Sequence, residues 1–168
     1  MTVALPAWIS RAQVVALERL VALLERERVP YQVTGGLAGN LHGSSWPVHD
    51  MDVDVPSAAL ARIAERVCAL PDVTPGSIAG PAPYRDEEFD LDLLEFTMHG
   101  VDFDLSGDLE AFVITPAGAR HPLEIELERA VVRSLGALAL RVIPLEDLIW
   151  YKRLIGRIKD VADLERLR

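Results

Sequence analysis

The spacing of apolar residues divides the start of the chain into a helix, a short strand and a glycine turn. Apolar residues recur at helical spacing after Ser10, a good N-cap, and predict an amphipathic helix that reaches the charged segment 25–28. Pro30 ends this pattern, and residues 31–34 predict a short strand that leads into the glycine pair 35–36. A second, shorter helical repeat follows, so its N-terminus should face the glycine turn.

A strict alternation then runs through residues 50–55, which read D-M-D-V-D-V. It predicts a strand with Asp50, Asp52 and Asp54 on one face and apolar residues on the other, followed by an amphipathic helix over 58–70. Neighbouring carboxylates repel each other, and this arrangement is hard to explain unless something positive lies between them. The pattern therefore favours a divalent metal ion at this strand.

The remaining residues predict further strands and a helical end. We expect surface loops at 71–83 and 115–122, a solvated acidic run at 84–92, strands at 93–97, 101–105, 131–135 and 138–143, and a C-terminal helix or helix pair from Pro144. Segment 109–114 fits either a helix or a strand. The fold class predicted is α+β (mixed α/β), with a small mixed β-sheet flanked by helices and with C-terminal helices.

Length and composition narrow the class of protein. With 168 residues, the chain has room for one domain with a substantial core and not for two well-separated ones. The net charge of −9 argues against a general nucleic-acid coat protein, because phosphate binding needs basic surface. Cys68 is the single cysteine and cannot form an internal disulfide. With no signal sequence and no membrane-spanning stretch, we predict a cytoplasmic protein without a membrane partner.

The candidate chemistry combines carboxylates with a phosphate site. Asp50 and Asp52, with a third carboxylate from a neighbouring strand, would hold one or two Mg²⁺ ions and leave positions for phosphates. Such sites stabilise the attacking and the leaving oxygen in phosphoryl or nucleotidyl transfer. Gly35 and Gly36 precede a helix N-terminus whose free amides attract phosphate. Later in the chain, two more aspartates share a face of the strand 101–105.

The C-terminal segment supplies the cations for this hypothesis. Residues 152–168 hold six basic and three acidic side chains, although the whole chain is acidic. On the predicted helical face, four residues follow one another at spacings of four, three and four, namely Lys152, Gly156, Lys159 and Asp163. The side chains that could neutralise phosphates are Lys152, Arg157 and Lys159. The alternative is a solvated face on which the lysines pair with Asp160 and Asp163.

Several motifs together resemble the signature of the DNA polymerase beta-type nucleotidyltransferase superfamily. They are G-G at 35–36, H-G at 42–43 and D-M-D-V at 50–53. Within it, the chain is similar to small bacterial nucleotidyltransferases related to toxin–antitoxin and abortive-infection enzymes. The C-terminal motifs that carry this similarity are P-L-E-D-L-I at 144–149, Lys152, G-R-I-K-D at 156–160 and Asp163. The resemblance implies a single nucleotidyltransferase-like domain over 1–168, with a catalytic core at 33–105 and a helical segment at 144–168.

The resemblance also implies roles for individual residues. Metal ligands are expected at Asp50 and Asp52, and the third at Asp104, with Asp102 as the second choice. In the family the third aspartate can also act as a base toward the attacking hydroxyl. The implied enzyme uses Mg²⁺ or Mn²⁺ and a nucleoside triphosphate (NTP), and it releases pyrophosphate. Asp54 is expected to be a surface or helix-capping residue.

Two questions stay open at this point. The acceptor could be a tRNA end, a hydroxyl of a partner protein, or a small molecule such as an aminoglycoside or a lincosamide. Where relatives commonly carry an arginine before the D-x-D strand, this chain has Trp46, expected to be a lid or packing residue or to stack on a nucleobase. The alternative function is therefore a non-catalytic binding module with the same fold, such as an antitoxin or a regulatory partner.

Overall fold

A mixed nine-stranded sheet lies at the centre of the molecule, and the computed structural model describes residues 4–168. The strands are β1 (Gln32–Val33), β2 (Asp50–Val55), β3 (Ala79–Arg85), β4 (Phe89–Met98), β5 (Val101–Gly107), β6 (Phe112–Ile114), β7 (Arg120–Pro122), β8 (Val131–Leu135) and β9 (Leu138–Val142). The helices are α1 (Arg11–Arg26), α2 (Gly35–Leu41), α3 (Leu60–Cys68), α4 (Leu145–Leu154) and α5 (Ile158–Glu165). The α+β class and the mixed sheet flanked by helices are confirmed. The single domain over 1–168 stays a prediction, and its first three residues lie outside the described part.

The order of the strands brings distant segments of the chain together. Along the sheet they follow the order β7-β6-β4-β5-β2-β1-β9-β8, and β3 pairs with β4 outside this path. β2 pairs in parallel with β5 and antiparallel with β1, so it lies between them. The aspartate strand is thus an interior strand, which carries apolar side chains into the core on one face and acids on the other.

Helix α1 forms where the apolar spacing predicted it. Ser10 and Gln13 form a capping box, in which each side chain bonds the other's backbone amide. Its buried face joins a core that also takes the apolar side chains of β2, β4 and β5. Within residues 4–168, no helix is long and apolar enough to cross a membrane.

Two predicted loops contain strands. Segment 71–83 contains most of β3, whose side chains are exposed throughout and which carries Pro81 and Pro83. Prolines are tolerated on an edge strand because it needs hydrogen bonds along one side only, so neither the prolines nor the polar pattern excluded a strand. Segment 115–122 ends in β7, a three-residue exposed strand that pairs with β6. Segment 109–114, whose sequence fits either a helix or a strand, contains β6.

The acidic run 84–92 covers the end of β3, a turn and the start of β4. Asp86 accepts hydrogen bonds from the backbone amides of Glu88 and Phe89 and so shapes the turn between β3 and β4. Asp90 pairs with Arg85 and Arg120. The charged side chains of this run are exposed or half-buried, as a solvated run requires, and several of them also have turn amides or arginines as partners.

The C-terminal segment forms two helices, α4 and α5. Of the single helix and the helix pair that the sequence predicted, the pair is therefore the observed form. Gly156 separates them with a φ of +81°, a conformation that a residue with a side chain adopts only under strain. The predicted single helical face through Lys152, Gly156, Lys159 and Asp163 is consequently not formed. The break leaves Lys152 buried at 7% exposure, whereas Lys159 lies exposed.

Candidate functional site

A cleft of about 1020 Å³ opens over the polar face of the sheet. Its floor comes from β1, β2, β4 and β5, and its sides come from the glycine turn, the β3–β4 hairpin, the segment 121–126 and helix α4. The predicted site residues lie on these elements, except for Arg157 and Lys159. Arg157, in the turn before α5, also lines the cleft, and Lys159 does not.

Three carboxylates meet on the floor of the cleft, and we call Asp50, Asp52 and Asp104 the acidic triad. Oxygen atoms from the three lie within 4.8 Å of one another. The parallel register of β2 and β5 causes this, since it places Asp52 directly beside Asp104. Asp102 lies beside Asp50 in the same register, but its carboxylate accepts a 2.6 Å hydrogen bond from the Thr97 hydroxyl and is not part of the cluster.

Burial and mutual repulsion make the triad hard to ionise fully. Burial raises the pKa of Asp52 to about 8, and repulsion from Asp50 and Asp104 adds to the shift. Burial and the charge of Asp50 raise the pKa of Asp104 to about 6. Such shifts mean that burial and repulsion together disfavour three ionised carboxylates, and a bound cation would relieve both. Clustered carboxylate oxygens are the ligands that Mg²⁺ and Mn²⁺ prefer, so these residues fit a divalent cation.

The glycine turn lies against the triad. Gly35 begins helix α2 with a φ of +63°, and a side chain at this position would overlap the Asp52 carboxylate. Its amide donates a 3.2 Å hydrogen bond to the hydroxyl of Tyr151, so this N–H is already used within the protein. Gly36 also lines the cleft and has open space where a side chain would be. The two predicted phosphate-binding glycines therefore differ, because Gly36 alone faces free space.

Tyr151 is a site residue that the sequence reasoning missed. Its hydroxyl bonds both the Gly35 amide and the Thr34 side chain, and the Phe89 ring packs against it edge-on at 6.1 Å. Burial raises the pKa of this tyrosine, so it stays protonated and neutral. A tyrosine in an amphipathic helix resembles any core residue in the sequence. Its contact with the glycine turn depends on how helix α4 packs in the folded protein.

The three predicted phosphate cations have different surroundings. The Lys152 ammonium lines the cleft and forms a 2.7 Å ion pair with Asp160. Arg157 pairs with Glu88 of the β3–β4 hairpin at 2.7 Å. Lys159 is exposed and points to no feature of the cleft. Of the three, Lys152 lies where a cation could act on a ligand above the triad.

Lys152 belongs to a polar cluster that we call the C-terminal lock, made of Trp46, Lys152, Asp160 and Asp163. The Lys152 ammonium lies 5.3 Å from the centre of the Trp46 ring. The indole Nε1 donates a 3.0 Å hydrogen bond to Asp163. Trp46 therefore joins the loop before β2 to helix α5. The predicted packing role fits this position, and Trp46 does not line the cleft.

Asn40 holds the backbone of Trp46, and no local pattern in the sequence predicts this contact. Its amide oxygen accepts a 2.7 Å bond from the Trp46 amide, and its amide nitrogen donates a 2.7 Å bond to the Trp46 carbonyl. Gly39 makes room for the indole ring, which fills the space of a missing side chain. The loop is therefore fixed from two sides, by α2 and by α5.

Asp54 lies on the same face as the triad but has a different partner. It is 5% exposed, and its carboxylate accepts a 2.8 Å hydrogen bond from the amide nitrogen of Gln32. Burial raises the pKa of Asp54 to about 7. The expected surface or helix-capping position is therefore wrong, because β1 covers this end of β2 and supplies a buried amide.

Comparisons with solved structures give the same architecture. A protein from Thermotoga maritima assigned as a nucleotidyltransferase aligns over 95% of both chains, with a TM-score of 0.66 and 20% identity. The lincosamide antibiotic adenylyltransferase LnuA with bound lincomycin aligns over 92% of this chain and 97% of its own, with a TM-score of 0.59 and 14% identity. ANT(2'')-Ia in complex with adenylyl-2''-tobramycin aligns over 92% of both chains, with a TM-score of 0.57 and 14% identity. No family model matches the sequence, and no curated protein matches it. The chain therefore has the nucleotidyltransferase fold.

Proposed function

We propose that this protein transfers a nucleoside monophosphate from an NTP to a hydroxyl group of an acceptor and releases pyrophosphate. The observation that carries the proposal is the acidic triad, which collects three carboxylates from two neighbouring strands within 4.8 Å of one another. The glycine turn and Lys152 lie beside it in one cleft. A nucleotidyltransferase fold and a triad fitted to a divalent cation together support this reaction over other uses of an acidic cleft.

Each residue has a distinct role in the proposed reaction. Asp50, Asp52 and Asp104 would hold Mg²⁺ or Mn²⁺, which when bound neutralises charge on the phosphates and on the attacking oxygen. A new bond forms between the acceptor oxygen and the α-phosphorus, the bond from that phosphorus to pyrophosphate breaks, and Asp104 takes the hydroxyl proton. The phosphate tail lies against Gly36, and Lys152 balances part of its charge.

The acceptor we favour is a small molecule. Two of the structural neighbours are an adenylyltransferase for lincosamides and a protein bound to adenylylated tobramycin. The cleft walls here carry Glu88, Glu95 and Glu124, and the chain as a whole has a net charge of −9. These charges repel the backbone of a tRNA, so a tRNA end is a weaker candidate. A hydroxyl of a partner protein is the remaining alternative.

A labelling experiment tests the proposal. Purified protein with Mg²⁺ or Mn²⁺ is incubated with each labelled NTP, first with a panel of aminoglycosides and lincosamides and then with cell extract. We expect label on an acceptor, and we expect Asp52→Asn to abolish it. The proposal fails if no NTP labels any acceptor and no metal-dependent NTP binding is measured.

The second candidate is a non-catalytic binding module, such as the antitoxin or regulatory partner of a toxin–antitoxin pair. It is favoured by the C-terminal lock, in which Trp46 replaces the family's arginine and Lys152 is already paired with Asp160. Thermal shift measurements separate the two candidates. If Mg²⁺ with NTP leaves the melting temperature unchanged and Asp50→Ala has no effect on any function, the binding module is the better interpretation.

A further inference from the structure

A buried polar pair lies beside the acidic triad and has no role in the proposed reaction. Gln32 and Asp54 are direct partners in the antiparallel register of β1 and β2, and they are 2% and 5% exposed. The Gln32 amide nitrogen is used in its bond to Asp54. In residues 4–168, the amide oxygen of Gln32 is the buried side-chain atom that has no hydrogen-bond partner. A buried acceptor without a donor costs about 1–3 kcal/mol, so its presence needs a reason.

The pair is part of a line of polar residues on the cleft floor, which we call the polar row. It runs across three strands from Gln32 through Asp54 to Ser106, as the strand registers show. All three residues line the cleft. Asp54 and Asp52 are two residues apart on one face of β2, so the polar row lies roughly 7 Å from the triad. That distance is about the width of one sugar ring.

The polar row has an unpartnered acceptor at one end. After one N–H of Gln32 bonds Asp54, the acceptors left are the Gln32 amide oxygen and a carboxylate oxygen, while the second Gln32 N–H and the Ser106 hydroxyl can donate. Apolar side chains border the row, with Leu93 beside Ser106 in the register and Leu123 also on the cleft wall. A ligand that fits this surface brings N–H or O–H donors, and a positive charge on it suits the surrounding acids.

The position of the row favours the acceptor over the triphosphate. β1 runs from Gln32 toward Gly35 and lies antiparallel to β2, so the glycine turn is next to Asp52 while Gln32 and Asp54 lie farther back. In an in-line displacement the attacking oxygen approaches from the side opposite the leaving pyrophosphate. If the phosphates lie at Gly36, the polar row is on the side from which the acceptor arrives.

We propose that Gln32 and Asp54 form a subsite that binds an amine or hydroxyl of the acceptor, about one ring's width from the hydroxyl that receives the nucleotide. This inference rests on the proposed function for the identity of the ligand, but binding at the subsite is measurable without any transfer reaction. The ligand class is a polar small molecule with several donors, such as an amino sugar.

Nuclear magnetic resonance of side-chain amides gives a direct test on the unaltered protein. The chain contains two glutamines, Gln13 and Gln32, and one asparagine, Asn40, so few side-chain amide signals need assignment. ¹⁵N-labelled protein is titrated with glucosamine, with tetramethylammonium as a cation that has no donor, and with adenosine for the nucleobase. We expect glucosamine to shift the Gln32 signal in a saturable manner and to leave Gln13 and Asn40 unchanged, with no effect of tetramethylammonium.

Variants separate the subsite from the nucleotide site. Gln32→Met should weaken glucosamine binding about tenfold or more while it leaves the affinity for Mg²⁺ with ATP unchanged, and Gln13→Met serves as the matched control. Gln32→Glu is the second variant if Gln32→Met does not fold, and it should retain binding of the ammonium group. Asp52→Asn should abolish Mg²⁺-dependent ATP binding and retain glucosamine binding.

Three results would overturn the inference. The subsite does not exist if glucosamine leaves the Gln32 signal unchanged in the wild type. It belongs to the nucleobase if adenosine shifts the same signal and competes with glucosamine. Gln32 only supports the fold if Gln32→Met and Gln13→Met weaken glucosamine binding equally. Loss of ATP binding with retained glucosamine binding would instead count against the proposed function alone.

Discussion

The acidic triad lies on the floor of the cleft, and the C-terminal lock contributes Lys152 to the lining of that cleft. The two clusters differ in how their charges are balanced. In the triad, three carboxylates come within 4.8 Å of one another and the pKa values of Asp52 and Asp104 are raised. In the lock, the Lys152 ammonium pairs with Asp160 at 2.7 Å, and the Asp163 carboxylate accepts a hydrogen bond from the Trp46 indole. Charge that the protein balances by itself serves the structure, whereas charge left unbalanced requires a ligand.

The largest effect is expected from Asp52→Asn. It removes a central ligand of the triad, so transfer should fall by about a thousandfold or more, equivalent to the loss of several kcal/mol of transition-state stabilisation. The same change removes repulsion with Asp50 and Asp104, so the metal-free variant should melt at a higher temperature than the wild type at pH 8. Rates of nucleotide transfer check the first expectation, and melting curves without metal check the second.

Asp102→Asn is the matched control for this variant. Asp102 lies on the same strand as Asp104, with its carboxylate bonded to Thr97 and outside the triad. We expect transfer within a few-fold of the wild type. If Asp102→Asn is as inactive as Asp52→Asn, the third carboxylate has been assigned to the wrong residue.

In the lock, removal of an acid is expected to lower stability, whereas Asp52→Asn should raise the stability of the metal-free protein. Asp160→Asn leaves the Lys152 ammonium buried without its counter-ion, and such losses cost about 3 kcal/mol in buried pairs. Asp160 is partly exposed, so we expect about 1–3 kcal/mol in the free energy of unfolding, measured by urea denaturation. Addition of Mg²⁺ with NTP should recover part of this loss, because phosphate replaces the missing carboxylate.

Arg153→Gln is a suitable comparison for Asp160→Asn. Arg153 is exposed and pairs with Glu165 between the same two helices. Solvent screens an exposed pair, so this variant should lose less stability than Asp160→Asn. Equal losses would show that helix docking, and not the buried charge, explains the effect of Asp160→Asn.

The pH dependence of stability is expected to reverse when metal is added. The pKa values of Asp52 and Asp104 are raised in the folded state to about 8 and about 6, from 3.8. Between about pH 4 and pH 8 the unfolded chain has therefore lost protons that the folded chain keeps, so this contribution to stability falls as pH rises. We therefore expect the free energy of unfolding to fall over this range without metal.

Mg²⁺ should stabilise the fold most at the high end of this range. It competes with protons for the carboxylates, so its binding strengthens as pH rises. Melting temperatures measured from pH 5 to pH 8, with and without Mg²⁺, show both trends. In Asp52→Asn, both the fall without metal and the gain with Mg²⁺ should be smaller. A metal-free wild type whose stability is flat over this range contradicts the repulsion inferred for the triad.

The sequence predicted the triad better than the lock, for a physical reason. Asp50 and Asp52 stand out because alternation and like charge are local patterns, and Asp104 followed from a family motif. The ion pair of Lys152 with Asp160 depends on a helix break at Gly156, and the bond from Trp46 to Asp163 joins residues 117 positions apart. Such contacts are fixed by tertiary packing, which no local period encodes.

The fold shows the same limit. Apolar spacing predicted α1, the aspartate strand and the β8–β9 pair, because their buried faces repeat regularly. It missed β3 and β7, whose side chains are exposed and whose strand form comes from hydrogen bonds to β4 and β6. It also placed Asp54 at the surface, since nothing in β2 itself indicates that Gln32 covers it.

The smallest effect is expected from Trp46→Phe, which keeps the ring on Gly39 and removes the indole N–H. The bond to Asp163 is lost, so the free energy of unfolding should fall by about 0.5–1.5 kcal/mol. Trp8→Phe is the control, as another partly buried tryptophan packed on the core. If the lock is structural only, Mg²⁺-dependent NTP binding should be unchanged in Trp46→Phe once the protein is folded. A tenfold loss of NTP affinity in this variant alone would show that Trp46 acts on the nucleotide. The conclusion that the lock, with its paired charges, serves the structure only would then be wrong.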